Sequence, residues 1–201
     1  MLRKIRAVLF DLDGVLVDSV EAWLIAFNET LGEFGKRTLT KEEFLERCWG
    51  SELEVNMEKL GLGQEGARHC QARYEEHIDE VKIPPNVRKT LGSLREKVGL
   101  VTSTPRMSVH QILSRFNLRK HFDAVITGDE VDKPKPDPAP VLKACKQLNV
   151  SPKEAVFVGD TKADIQAGRS AGCTVVGLNV KGDFKVNRIS ELHELLEKGF
   201  D

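Results

Sequence analysis

The stretch Ala7 to Ser19, "AVLFDLDGVLVDS", runs a string of apolar residues of the kind that fills a buried strand straight into two aspartates, Asp11 and Asp13. Burying a carboxylate without a partner is costly, and two held close together repel and raise each other's pKa. Something at the end of this strand must offset that cost.

Similar runs recur along the chain: "IRAVLF" at 5–10, "VGLVT" at 98–102, "AVIT" at 124–127, "AVFVG" at 155–159 and "TVVGL" at 174–178. They are rich in β-branched residues and nearly continuous rather than alternating, which marks strands covered on both faces of a parallel sheet. Helical patterns at 86–97, 107–116, 138–148, 162–171 and 190–198 separate and follow them. Ser108, Ser151 and Ser190 sit where helices can start, and Gly172 where one can stop. Alternating strand and helix predicts right-handed crossovers and a three-layer, Rossmann-like α/β core built from residues 1–15 and 83–201.

Residues 16–82 differ in kind, because past their first few positions they hold no strand-like run. Trp23, Ala26, Phe27, Thr30, Leu31 and Phe34 repeat at helical spacing. Thr40 with Glu43 and Ser51 with Glu54 each match the capping box, in which a hydroxyl and a carboxylate satisfy early backbone N–H groups reciprocally. Gly61 and Gly63 precede another helix at about 64–80, and Pro84 with Pro85 closes the segment. The expected organisation is a small inserted α-helical cap domain, hung on two linkers over one end of the sheet.

With 30 Lys and Arg against 31 Asp and Glu, the net charge is −1, which argues against a broad grip on nucleic acid or an anionic membrane. A small molecule is the expected partner. Cys48, Cys70, Cys145 and Cys173 form no C-x-x-C pair and read as buried thiols. With neither a signal-peptide pattern nor an 18-residue apolar span, a reduced, cytoplasmic setting is expected. Composition is silent on oligomeric state.

Ligands of open α/β sheets bind beyond the carboxyl ends of the strands, and here those ends are chemically loaded. The first run exits into Asp11 and Asp13, the second into Thr102, Ser103 and Thr104, and the fourth into "GDTKAD" with Asp160 and Asp164. Between the third and fourth lies "DKPKPDP", carrying Lys133 and Lys135. In this order "DLDGVLVDS", "VTST", "KPKPDP" and "GDTKAD" resemble the four motifs of the haloacid dehalogenase-like hydrolases, in particular phosphatases of the phosphoglycolate phosphatase type with a small helical cap. The similarity covers essentially the whole chain, and four motifs in order at strand ends are far more specific than one D-x-D-G.

The resemblance implies a Mg²⁺-dependent phosphatase acting on a small phosphorylated metabolite. Asp11 would attack phosphorus and carry the phosphoryl group, splitting hydrolysis into two displacements. Asp13 would protonate the leaving alkoxide and later deprotonate the hydrolytic water. The expected metal ligands are the Asp11 and Asp160 side chains, the Asp13 backbone carbonyl and, directly or from behind, Asp164, since Mg²⁺ wants near-octahedral oxygens. Thr102, with Ser103 beside it, would donate to phosphoryl oxygens. Lys133 is preferred to Lys135 as the third-motif amine, because K-P-x-P matches at its first residue. The second aspartate favours phosphoryl chemistry over carbon–halogen cleavage.

In the expected cap, "RCWGSEL" at 47–53 offers Trp49 and Glu52 as substrate contacts, with core packing the better reading of the tryptophan. Two alternatives stand beside the phosphatase. Sugar-phosphate mutases of the resembling subgroup carry a histidine in the first cap helix, where this chain has Trp23. A non-catalytic binding module of the same fold would have no need of a nucleophile, an acid, a lysine and a metal aspartate together.

Overall fold

The computed structural model describes residues 4–200. They divide into two compact units, one formed by the chain up to Val17 and from Ile83 onward, the other by Asp18–Lys82.

The first unit is a six-stranded parallel sheet with strands β1 (Ala7–Phe10), β2 (Lys97–Val101), β3 (Ala124–Ile126), β4 (Ala155–Gly159), β5 (Thr174–Leu178) and β6 (Phe184–Val186) in the order β3-β2-β1-β4-β5-β6. β1, β4 and β5 are buried along their whole length, as their unbroken apolar runs require. The chain leaves β1 toward one edge through β2 and β3, then returns to its other side for β4, so the order reverses at β1. That reversal opens a crevice between the carboxyl ends of β1 and its neighbours.

The helices of this unit are α5 (Val87–Ser93), α6 (Arg106–Arg115), α7 (Ala139–Gln147), α8 (Lys162–Ala171) and α9 (Glu191–Lys198), following four in the second unit. α7 and α8 pack side by side, α7 on β1 to β3 and α8 on β4 and β5, around Leu9, Val101, Ile126, Val141, Ala144 and Phe157. Gly172, in the left-handed conformation at φ 89°, ends α8 as expected. β6 escapes the sequence reading, because "FKV" is short and carries a lysine at its centre. Ser108 is buried inside α6, which starts earlier at Arg106 behind Pro105, and Ser151 caps a single 3-10 turn at Pro152–Glu154 rather than a helix.

The second unit comprises α1 (Val20–Glu33), α2 (Lys41–Arg47), α3 (Leu53–Lys59) and α4 (Gly63–Glu76). α1 packs along α4, and α3 also packs on α4. Buried Ala22, Ala26, Phe27, Phe44, Met57, Cys70 and Tyr74 form its interior. Trp23 stacks on Tyr74 with ring centroids 3.7 Å apart, and Phe27 meets Phe44 edge-on at 5.0 Å. The Thr40–Glu43 capping box forms; the expected Ser51–Glu54 box does not, since α3 begins at Leu53 and Glu52 takes the cap position. Trp49 is half-buried and edge-on to Phe44 at 6.1 Å, which is packing within the unit.

All four cysteines are buried thiols. Among the described residues no helix is long and apolar enough to cross a membrane.

Candidate active site

The parallel ladder carries the site residues outward. The Asp11 N–H donates to Val158 O at 2.9 Å and the Thr102 N–H to Ile126 O at 3.0 Å, so pairing continues one residue past β1 and β2 and fixes both backbones. Asp11, 5 % exposed, thereby enters the crevice with its direction set by the sheet.

The buried amine that meets it is Lys135. Its Nζ lies 2.9 Å from Asp11 Oδ1 and 2.6 Å from Asp164 Oδ1, 3.5 Å from Val101 O, and 5.9 Å from the centre of the Phe157 ring. Burial alone lowers an amine's pKa, but the charges of Asp11 and Asp164 outweigh it and hold Lys135 above its ordinary value. Asp11 is pushed well above the carboxylate range, first by burial and then by Asp164; Lys135 pulls the other way, and Asp160 and Asp13 add to the rise. Several acids thus converge on one ammonium.

This corrects the expected register of the third motif. Lys133 is exposed, whereas a turn across Pro134–Asp137, closed by the Asp137 N–H on Pro134 O at 2.9 Å, turns Lys135 inward. A buried ammonium needs partners in reach, and the two carboxylates are at Lys135.

Asp164, fully buried in the first turn of α8, accepts at Oδ1 from Lys135 Nζ. Its Oδ2 accepts from Thr161 Oγ1 at 2.6 Å and from the Thr161 N–H at 3.1 Å, while its own N–H donates back to Thr161 Oγ1. Thr161 and Asp164 form a capping box, so the structure that starts the helix also orients the carboxylate. β4 must end in glycine for this, because a Cβ on Gly159 would lie 2.2 Å from Asp164 Cβ.

Asp11, Asp160 and Asp164 each present a carboxylate oxygen, all within 4.8 Å of one another. Asp160 reaches this cluster past Gly14, whose φ of 76° favours glycine and whose place leaves no room for a side chain, a Cβ there falling 2.1 Å from Asp160 Oδ2. A set of hard oxygens with excess negative charge fits Mg²⁺ in donor chemistry.

Asp13 is half-buried, and its Oδ2 accepts from Thr104 Oγ1 at 2.6 Å. Thr102, 3 % exposed, accepts at its hydroxyl from the Thr104 N–H at 3.0 Å, which leaves the hydroxyl's own hydrogen to be donated elsewhere. Ser103 is exposed. The structure therefore brings Asp11, Asp160, Asp164 and Lys135 together and ties Asp13 to the second motif through Thr104. Thr161 is a polar group the sequence reading passed over, and Thr104 one it placed at the strand end without a role; T-x-x-D at 161–164 is a legible capping signal, but nothing in "TST" marks its last residue as the partner of Asp13.

The haloacid dehalogenase-like hydrolase family profile matches residues 8–178. Over 222 residues the chain is 31% identical to the phosphoglycolate phosphatase of Chromobacterium violaceum, covering 98% of this chain and 99% of that protein. A haloacid dehalogenase-superfamily hydrolase of subfamily IA from Geobacter sulfurreducens, solved by crystallography, superposes with a TM-score of 0.75 at 28% identity, covering 96% of each chain. The β-phosphoglucomutase of Clostridium difficile shares the fold, with a TM-score of 0.83 at 24% identity over 98% of this chain and 97% of that one.

Proposed function

Because the chain belongs to the haloacid dehalogenase-like hydrolases and is a phosphatase among them, we propose that it hydrolyses a small phosphorylated metabolite through an aspartyl phosphate on Asp11. The observation that carries this reading is Asp11 itself: buried, fixed by the sheet and paired with one ammonium.

In the first displacement the Asp11 carboxylate forms a bond to phosphorus as the ester P–O bond breaks, and Asp13 delivers a proton to the departing alkoxide. In the second, Asp13 takes a proton from water as its oxygen attacks phosphorus, releasing inorganic phosphate and regenerating Asp11. Thr102 and Lys135 supply donors to the phosphoryl oxygens, where charge develops during transfer. Ser103 offers a further backbone donor. Asp164 holds Lys135 in place and stands behind the metal site rather than in it, since both its oxygens are engaged by Lys135 and Thr161.

Asp11, Asp160 and the Asp13 carbonyl would hold Mg²⁺, which when bound neutralises the repulsion between the carboxylates and an incoming phosphate. Such a cation meets the cost posed by two acids at the end of an apolar strand. A small phosphorylated metabolite as partner, rather than nucleic acid or a membrane, and a reduced cytoplasmic setting fit the near-neutral charge and four buried thiols.

The mutase reading is weaker. Trp23, at the position where the resembling mutases carry histidine, is stacked on Tyr74 as part of a packed interior and offers no imidazole for proton transfer to a sugar.

The test is phosphate release, with Mg²⁺, from a panel of phosphorylated metabolites that includes phosphoglycolate and sugar phosphates, wild type beside Asp11→Asn. Release from one or a few compounds, lost in the variant, is expected. A folded wild type that releases phosphate from none of them would overturn the proposal.

A further inference from the structure

We propose that Thr104 is a positioning residue that holds the Asp13 carboxylate by Oδ2 and so fixes the orientation in which Asp13 passes the proton in both displacements. The inference rests on the phosphatase reading above and deepens it.

The contact is short, 2.6 Å from Thr104 Oγ1 to Asp13 Oδ2, within the range of a hydroxyl donating to an ionised acid. Thr104 itself is 5 % exposed and anchored at every polar group. Its N–H donates to Thr102 Oγ1 at 3.0 Å and its carbonyl accepts the Gly128 N–H at 3.2 Å. Gly128 permits that approach because it has no side chain; a Cβ there would lie 2.0 Å from Ser103 O. The loops after β2 and β3 therefore grip Thr104 between them, with Thr102 pinned to Ile126.

Asp13 sits on the opposite side of this bond, in the loop after β1, where the Gly14 N–H donates to Val17 O at 2.8 Å. A carboxylate on a loop can turn about its last side-chain bond, exchanging its two oxygens. Fixing Oδ2 to a rigid donor removes that freedom and sets the plane of the carboxylate. Thr104 links the acid to the hydroxyl of Thr102 by two hydrogen bonds, its Oγ1 donating to Asp13 and its N–H to Thr102 Oγ1, so the group that donates to the phosphoryl oxygens and the group that handles the leaving-group proton are set in register.

The test compares kcat/KM of wild type, Thr104→Val and Thr104→Ser on an alkyl phosphate, whose alkoxide needs a proton to leave, and on p-nitrophenyl phosphate, whose phenolate does not. Misplacing a catalytic group by about 1 Å costs on the order of 100-fold, so Thr104→Val should lose about 10- to 100-fold on the alkyl ester and less than about 3-fold on the aryl ester. With the aryl ester the valine variant should also show a burst of about one nitrophenolate per enzyme, because water attack on the aspartyl phosphate still needs Asp13. Thr104→Ser should restore the alkyl rate. In an Asp13→Asn background, Thr104→Val should cost nothing further, since the two act through one bond.

Equal losses on both esters, or full additivity with Asp13→Asn, would overturn the positioning role while leaving the phosphatase intact. A wild type that releases phosphate from no compound of the metabolite panel would instead remove the reading beneath it. Should the valine variant fail to fold, the comparison of Thr104→Ser and Thr104→Ala carries the same test.

Discussion

Replacing Lys135 with Met, beside Lys133 with Met, separates the two lysines of the third motif on stability and on rate at once. Lys135 is 6 % exposed and lies 2.6 Å from Asp164 and 2.9 Å from Asp11, so its loss strands two buried carboxylates. Removing one partner of a buried ion pair costs about 3–5 kcal/mol. At about 2–4 °C per kcal/mol for a chain of this size, the melting temperature should fall by roughly 6–20 °C. Asp11, its carboxyl already raised, can take up a proton once the amine is gone, so the deficit should shrink as pH falls. Turnover, read as phosphate release well below the new melting temperature, should drop about 100-fold or more, as for loss of one donor to a developing charge. Lys133→Met removes an exposed side chain and should move stability by no more than about 0.5 kcal/mol and leave turnover within a factor of two. Turnover abolished by Lys133→Met and kept by Lys135→Met would refute the assignment.

Asp11→Asn, measured with a chelator present, should melt higher than wild type near neutral pH. Burial first, then Asp164, raises the Asp11 pKa in the folded state, so the stability this group contributes is full below its unfolded value and lost as pH rises through the raised one. The gap between the variants should therefore close as pH falls toward about 4, near the unperturbed carboxylate range, and a gap independent of pH would contradict it. Gly14→Ala places a methyl group where Asp160 Oδ2 now lies and forces a left-handed backbone on alanine. It should cost about 1 kcal/mol or more and raise the Mg²⁺ concentration needed for half-maximal turnover, whereas an unchanged Mg²⁺ requirement would separate Asp160 from the metal.

How much of this was legible depends on what each segment does. β1, β4 and β5 are buried on both faces, so their β-branched runs announce them, and β4 and β5 match their expected limits of 155–159 and 174–178. β6 is three residues long with an exposed lysine between half-buried Phe184 and buried Val186, and "FKV" carries no such run. The capping boxes divide for a related reason. Thr40–Glu43 and Thr161–Asp164 form because the next residues enter helix at once, while Ser51 stands one place too early and Glu52 is the residue before α3. Caps are decided by the local backbone, and a four-residue pattern fixes it only to within a residue.

The acids of the site were readable for the same reason as the strands. Asp11 and Asp160 each come directly after a buried run, so the ladder delivers them to one edge whatever the loops do. Lys135 comes from a loop, where alternation no longer says which side chain faces inward. Lys133 and Lys135 are chemically identical and each precedes a proline, so pattern alone could not separate them. What separates them is the turn at Pro134–Asp137 and the demand of two buried carboxylates for one ammonium. Thr104 is the same case in smaller form: three adjacent positions in "TST" can all donate, and only the close passage of Gly128 determines that the last of them faces Asp13. Residues on strands are placed by the sheet and can be read from sequence; residues on loops are placed by the partners they meet, and those partners lie far away in the chain.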